Sequence, residues 1–145
     1  MPRYFTLREA RAALPAVSRD VREAVQARSR YQQADEALQA LGQRILMRGG
    51  IMVDTVAAEA WKTQKDSGAQ TLKSTLERIE DLGILIKDLD VGLIDFPTLY
   101  RGQEVYLCWR MDEADIDFWH GTQEGFAGRK LIDSEFLSHH TGDSA

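Results

Sequence analysis

The sequence predicts an α+β protein, built as a long antiparallel helical hairpin followed by a small antiparallel β-sheet. Two observations lead to this prediction. From Pro15 to about residue 82, apolar residues recur three and four positions apart, which is typical of amphipathic helices. After Gly83 the chain changes to short runs rich in β-branched and aromatic residues, separated by turn residues, as strands are. We therefore expect helix to dominate residues 7–82 and strands to lie within about 84–120.

The N-terminal segment carries a helix-start signal. Residues 6–9, with the sequence TLRE, match the capping box, in which the Thr6 hydroxyl accepts from the Glu9 amide and the Glu9 carboxylate reaches back. A short helix over about residues 7–13 should follow. Pro15 then ends or kinks this helix, or it occupies the first turn of the next one, because proline lacks an amide hydrogen and clashes with the preceding turn.

Two longer helices complete the helical part, which we place at about residues 6–83. The first runs from Pro15 to about Met47, where Arg48-Gly49-Gly50 breaks it. The second runs over about 54–82, and its middle, KTQKDSGAQT, is so polar that we expect a weakened, frayed stretch there. Gly83 then ends the helix, since glycine readily adopts the positive φ of the C′ position.

A β unit at about residues 84–132 follows, and its central hairpin has a defined register. If Arg101-Gly102 forms a two-residue loop, Asp95 lies opposite Cys108. Pro97 indicates that its strand is an edge strand or is bulged at that point. One face of the hairpin is then almost entirely apolar and must face the core; it comprises Ile94, Phe96, Thr98, Val105, Leu107 and Trp109.

The other face of the hairpin collects polar side chains. A return loop over residues 111–115 would place Tyr106 opposite His120. The candidate polar cluster on this face, completed by an arginine from the following glycine-rich loop, is Asp95, Tyr106, Arg110, His120 and Arg129. We expect Asp95 and Arg110 to form a charge-assisted hydrogen bond, because they lie one diagonal step apart on neighbouring strands. On this interpretation Arg110→Ala destabilises the fold, and His120→Ala does so to a smaller extent.

Length and composition set further bounds. A chain of 145 residues fits one domain, which we place at residues 1–145 with a disordered tail at about 138–145. No apolar run approaches the roughly 18 residues that span a bilayer, so we expect no membrane association. The N-terminus lacks the apolar core of a secretory signal, and Cys108 is the single cysteine. These features predict a cytoplasmic location.

The charge distribution argues against nucleic acid as a partner. Residues 1–50 hold nine Arg and five acidic residues, whereas residues 51–145 hold nine Lys or Arg and 18 acidic residues. The arginines alternate with acidic residues and form no basic block, and a net charge of −5 repels phosphate.

Several strings of the sequence occur together in one protein family. YFTLREA at the start, and KDLDVGLIDFP, EVYLCWR, DFWH and GFAGR between Lys87 and Arg129, resemble the uncharacterised bacterial domain-of-unknown-function 2203 family. The resemblance is specific over that segment and only general in residues 48–71. It implies a fold shared with other small bacterial proteins and supplies no activity.

Specific chemistry has little support in the sequence. Cys108 lies in mid-strand, where a buried, inert thiol is expected in place of a nucleophile. Cys108, Asp95 and the three histidines show no familiar metal-ligand spacing, so we predict no metal and no cofactor. The GFAGR loop offers Arg129 and open backbone amides to a phosphate, but it matches no known phosphate loop, and a structural turn is the better interpretation.

Two hypotheses for function remain. The first is a non-enzymatic structural or protein-interaction module, with a homodimer through the helical hairpin or another protein as partner. The hairpin is roughly 50 Å long, more than the β unit can cover, and four helices enclose a core better than two. The second is a small-molecule or anion-binding site, which includes an enzyme active site, on the polar face of the β unit. A concave pocket lined by the polar cluster would favour the second hypothesis.

Overall fold

A computed structural model of the chain describes residues 3–47 and 55–141. Two long helices, α1 (Leu7–Met47) and α2 (Thr55–Asp81), precede a sheet and a short helix, α3 (Ser134–His139). The strands are β1 (Leu85–Asp88), β2 (Leu93–Tyr100), β3 (Gln103–Arg110), β4 (Phe118–Gly121), β5 (Lys130–Leu131) and β6 (His140–Thr141). The predicted α+β class, a long helix pair followed by an antiparallel sheet, is confirmed. Within the described ranges, no helix is long and apolar enough to cross a lipid bilayer.

The chain divides into two compact units. The sheet unit combines residues 1–22 with residues 76–145 and so contains the start of α1, the end of α2 and all the strands. The hairpin unit is residues 23–75, which hold the rest of the two helices. A single domain over residues 1–145 stays a prediction, and the predicted break at residues 48–50 lies outside the described residues.

The first helix begins at the predicted capping box but does not end near Ala13. Thr6 Oγ1 accepts from the Glu9 amide at 2.9 Å, and Glu9 Oε1 accepts from the Thr6 amide at 3.1 Å. Helix α1 then continues through Pro15, so the expected end or restart at the proline is wrong. Pro15 and Arg11, whose carbonyl group loses its amide partner, are both exposed residues, while the buried side chains of Leu14 and Val17 hold the helix on either side of Pro15.

The core of the sheet unit forms where the first turns of α1 meet the sheet. The buried stripe of α1 has the predicted helical spacing: Leu7, Ala10, Leu14, Val17 and Val21. The predicted apolar face of the β2–β3 hairpin is also buried throughout: Ile94, Phe96, Thr98, Val105, Leu107 and Trp109. Ahead of α1, the Phe5 ring packs edge-on against Phe96 with 5.3 Å between the ring centroids. The assignment of this face to the core is confirmed.

The sheet has strands β1 to β5 in sequence order, all antiparallel, with β6 added beside β2. Asp95 lies opposite Cys108, as predicted from the two-residue loop. Arg101 and Gly102 in that loop have φ angles of 53° and 78°, the left-handed conformation that a type I′ turn requires at both positions. The predicted pairing of Tyr106 with His120 is likewise confirmed.

Pro97 lies in β2, which has neighbouring strands on both edges. At Pro97 itself, however, one of the two edges has no strand beside it. On the edge of β2 away from β3, β1 pairs as far as Asp95 and β6 begins at Leu99. Between them the Pro97 carbonyl oxygen accepts from the Phe5 amide at 2.7 Å. Because the nitrogen and the carbonyl of one strand residue point to the same edge, the missing amide of Pro97 faces this gap and costs no ladder hydrogen bond.

The C-terminal segment forms helix α3 and strand β6 up to residue 141, and these elements extend into the tail predicted at about 138–145. Helix α3 is capped by Asp133, and β6 pairs with β2, beyond the expected strand range. His140 is buried, and its Nε2 accepts from the Leu7 amide at 2.9 Å while Nδ1 lies 3.2 Å from the Leu99 carbonyl oxygen. A single imidazole thus connects the C-terminal segment to both α1 and β2. These hydrogen bonds hold the segment in place despite its polar composition. Residues 142–145 lie outside the described residues.

In the hairpin unit, α1 and α2 run antiparallel and approach closely at Gly68. A Cβ atom added there would lie 3.0 Å from the Ala27 carbonyl oxygen and 3.2 Å from the Tyr31 nitrogen. Nearby, Lys65 pairs with Asp35 at 2.8 Å. The stretch predicted to fray is therefore continuous helix, because Gly68 brings the two backbones together and the polar side chains around it bond across the pair.

Candidate functional site

Three neighbouring strands place an acidic, a thiol and an imidazole side chain together on the face opposite the apolar core face. Asp95 comes from β2, Cys108 from β3 and His120 from β4, and donor atoms from all three lie within 4.8 Å of one another. Their exposed fractions are 1%, 0% and 4%. We call Asp95, Cys108 and His120 the triad. It is a cluster of buried polar side chains on three strands of a small sheet.

His120 is held from both sides. Its Nε2 lies 3.0 Å from each carboxylate oxygen of Asp95, and its Nδ1 lies 2.8 Å from the Gly121 carbonyl oxygen. The register explains this contact. Asp95 lies opposite Cys108 on one side of β3, and His120 lies opposite Tyr106 on the other, so the Asp95 and His120 side chains meet across β3. The expected joining of His120 to the polar face is seen, with Asp95 as its partner.

Cys108 is a protonated thiol at neutral pH in this environment. Burial raises the pKa of Cys108 to about 12, and the neighbouring Asp95 carboxylate adds to the rise. The Arg129 guanidinium, 3.9 Å from the sulfur, acts in the opposite direction but does not compensate. A thiol that keeps its proton at neutral pH is a poor nucleophile.

Arg129 reaches the triad from the loop after β4 and is itself neutralised. Its guanidinium pairs with Glu113 through two nitrogens, and the exposed fractions of the two side chains are only 9% and 15%. The same guanidinium stacks over Phe118 at 3.9 Å and over Phe126 at 4.4 Å. Glu113 was not among the predicted site residues; it lies in the turn between β3 and β4, and no spacing signals its contact with Arg129.

Arg110 does not pair with Asp95, so that expectation is wrong. Its Nε and Nη2 donate to Asp112 at 2.5 and 3.1 Å, and this hydrogen-bonded pair lowers the pKa of the Asp112 carboxyl group. Asp112 is two residues further along the chain and presents both oxygens, whereas Asp95 is already bonded to His120 and buried. Arg110 therefore belongs to the rim of the polar face.

Tyr106 contacts the triad with its ring and not with its hydroxyl group. The ring centroid lies 5.4 Å from that of His120, while the hydroxyl group donates to Glu104 at 3.2 Å. Burial, followed by the Glu104 charge, raises the pKa of Tyr106. Tyr106 also lines a shallow depression beside β1, together with Arg3, Glu80 and Glu104, and none of the triad lines it.

The arrangement does not provide the features of an anion site. Both arginines of the predicted cluster, Arg110 and Arg129, are bonded to carboxylates, so neither presents an uncompensated positive charge. What the face does offer is the triad, a set of nitrogen, oxygen and sulfur donors shielded from water. The role of the predicted cluster as a functional site stays a prediction.

Comparison with protein-family models matches residues 3–132 to a family described as uncharacterised conserved protein, DUF2203. The match agrees with the resemblance carried by the strings between Lys87 and Arg129. Neither the curated proteins nor the solved structures gave a match.

Proposed function

We propose that this protein, which belongs to the DUF2203 family of uncharacterised conserved proteins, acts as a structural or protein-interaction module that forms a homodimer through its hairpin unit. The proposal concerns residues 23–75. It assigns the protein a non-enzymatic role in which one hairpin unit packs against the same unit of a second copy.

One observation carries the proposal: the described residues of the hairpin unit enclose no large apolar core of their own. Among its described residues, the fully buried apolar side chains are the small ones of Ala24, Ala27 and Ala34. The larger apolar side chains stay partly exposed: Val25, Leu38, Leu41, Ile45, Trp61 and Leu72. Burial of a fully exposed side chain of this kind contributes roughly 1.5–3 kcal/mol, and each of these six partly buried residues still has a fraction of that to gain from a second layer of helices.

The charge of the hairpin unit favours a second copy as the partner. Residues 23–75 carry seven Lys or Arg and six Asp or Glu, so the unit is almost neutral. The remaining residues carry 11 Lys or Arg and 17 Asp or Glu. Two copies that meet through their hairpin units avoid the like-charge repulsion that contact between two acidic sheet units would bring.

The polar face gives no comparable support to an enzyme. The Cys108 thiol keeps its proton at neutral pH, and His120 and both arginines of the cluster are engaged with carboxylates. A general acid or base must reach a substrate, and the triad is at least 96% buried.

The test compares two glutamate variants in α1. Leu41 is a half-buried residue on the same side of α1 as Leu38 and Ile45, whereas Gln32 is exposed and lies on the other side of the helix. Sedimentation equilibrium of the full chain should show a dimer for the wild type and for Gln32→Glu. Leu41→Glu should weaken association at least about tenfold, because a buried, unpaired carboxylate costs several kcal/mol.

The control separates the interface from the general effect of an added charge. Equal weakening in both variants, or dimers of unchanged affinity in both, would contradict an interface that includes Leu41 and its side of α1. A monomeric wild type would contradict the proposal as a whole. Circular dichroism of both variants shows whether the helices remain intact.

A further inference from the structure

The hydrogen-bond geometry of His120 requires a proton, on either group, or a metal ion between its ring and Asp95. The Gly121 carbonyl oxygen can only accept, so the Nδ1 atom 2.8 Å away must carry a hydrogen. If the ring is neutral, Nε2 then points its lone pair at two carboxylate oxygens, each 3.0 Å away. Two electron-rich groups do not face each other in a buried position unless a proton or a metal ion lies between them.

A third donor makes the metal ion the more specific answer. The Cys108 sulfur completes a set in which all the donor atoms lie within 4.8 Å of one another. Around tetrahedral zinc, with bonds of about 2.0–2.3 Å, neighbouring ligand atoms are about 3.3–3.7 Å apart, so no pair of donor atoms has to close by more than about 1–1.5 Å. We propose that Asp95, Cys108 and His120 bind a divalent transition metal, with Zn²⁺ the best match to one oxygen, one sulfur and one nitrogen donor.

The exchange balances in charge. When the metal ion enters, its bonds to the donor atoms replace the proton held between His120 and Asp95 and the thiol proton of Cys108. Both protons leave to solvent, so two positive charges leave as two enter. The surroundings of the triad, including the neighbouring Arg129–Glu113 pair, therefore experience no change in net charge.

The residues around the triad resemble those that usually support metal ligands. A ligating histidine typically donates its other ring N–H to a carbonyl or carboxylate, as Nδ1 of His120 does to Gly121. Arg129 Nη1 lies 3.9 Å from the Cys108 sulfur and can donate to a thiolate there. The Arg129 guanidinium is paired with Glu113, so the positive charge of Arg129 opposes an incoming cation only weakly.

The test uses Co²⁺ as a spectroscopic substitute for Zn²⁺ on the full chain after chelator treatment under reducing conditions. We expect one Co²⁺ per chain and a thiolate-to-cobalt charge-transfer band in the near ultraviolet, which Zn²⁺ then abolishes. Since Cys108 is the single cysteine, that band can come from no other residue. Zn²⁺ should also raise the melting temperature of the wild type.

Two variants provide the comparison. Cys108→Ser should remove the band and weaken binding more than about tenfold, since even residues behind the ligands are worth about 10–100-fold. His139→Gln changes an exposed histidine outside the triad and should bind like the wild type. A wild type without the charge-transfer band, or stoichiometric binding that survives in Cys108→Ser, would overturn the proposal. The wild-type result decides the question even if Cys108→Ser does not fold.

Discussion

At the scale of single residues, strand register predicts where the polar side chains on strands lie. It does not predict the positions of those on loops. The two-residue loop at Arg101-Gly102 places Asp95 and Cys108 on one face, and the return loop over residues 111–115 adds His120 to it. Glu113 could not be predicted, because it lies in a turn whose path no periodicity describes. The same turn supplies Asp112, which captures Arg110 and leaves Asp95 to His120.

The observed pairing reverses the expected order of two substitutions. His120→Ala leaves the buried Asp95 carboxylate without its imidazole partner and should lower the free energy of unfolding by about 3–5 kcal/mol. Arg110→Ala removes an exposed pair with Asp112 and should have a clearly smaller effect. Denaturant unfolding in the presence of a chelator measures the free energy of unfolding of both variants without any contribution from bound metal. A larger loss for Arg110→Ala than for His120→Ala would contradict the pairing described here.

At the scale of elements, the helices were predicted from their apolar spacing, while the close contact at Gly68 was not. A glycine in a polar stretch suggests fraying when the helix is considered alone. In the hairpin the same glycine allows two backbones to approach, a property that depends on the partner helix and leaves no periodic signal. Pro15 is the converse case, since its exposed position makes a residue that usually interrupts helices tolerable.

Two glycine-to-alanine substitutions test the helix contact. In Gly42→Ala the new methyl group meets nothing within 4 Å, so the better helix propensity of alanine should raise the free energy of unfolding by about 0.5–1 kcal/mol. In Gly68→Ala the methyl group lies against the backbone of Ala27 and Tyr31, and we expect a net loss of about 1–3 kcal/mol. Thermal melts compare the two variants. Similar stabilisation by both would show that the helices are further apart at Gly68 than the structure places them.

The C-terminal segment depends on one buried imidazole. His140→Ala removes the acceptor of the Leu7 amide and should lower the free energy of unfolding by about 1–3 kcal/mol. The neighbouring His139 is exposed, so His139→Ala should change stability little and serves as the control. Hydrogen exchange of the Leu7 amide adds a local readout, since this amide should lose protection in His140→Ala alone. Unchanged protection would mean that the tail does not hold the start of α1.

At the scale of the whole molecule, the two compact units differ in what they bury. The sheet unit encloses aromatic and branched side chains such as Phe96 and Trp109, so it has a core in the usual sense. The hairpin unit encloses alanines and Gly68, and its larger apolar residues remain partly exposed. The sequence indicated the long hairpin, but the smallness of its enclosed residues could be recognised only from the helix pairing. This difference is why we assign self-association to the hairpin unit.

The most direct test of that assignment is the molar mass of the full-length wild type in solution, measured by light scattering at tens of micromolar protein. The chain has a mass of 16.4 kDa, so the homodimer should scatter as a particle of about 33 kDa. Dilution should shift the mass smoothly towards the monomer, as expected for reversible association. A particle of 16.4 kDa throughout this concentration range would contradict the account.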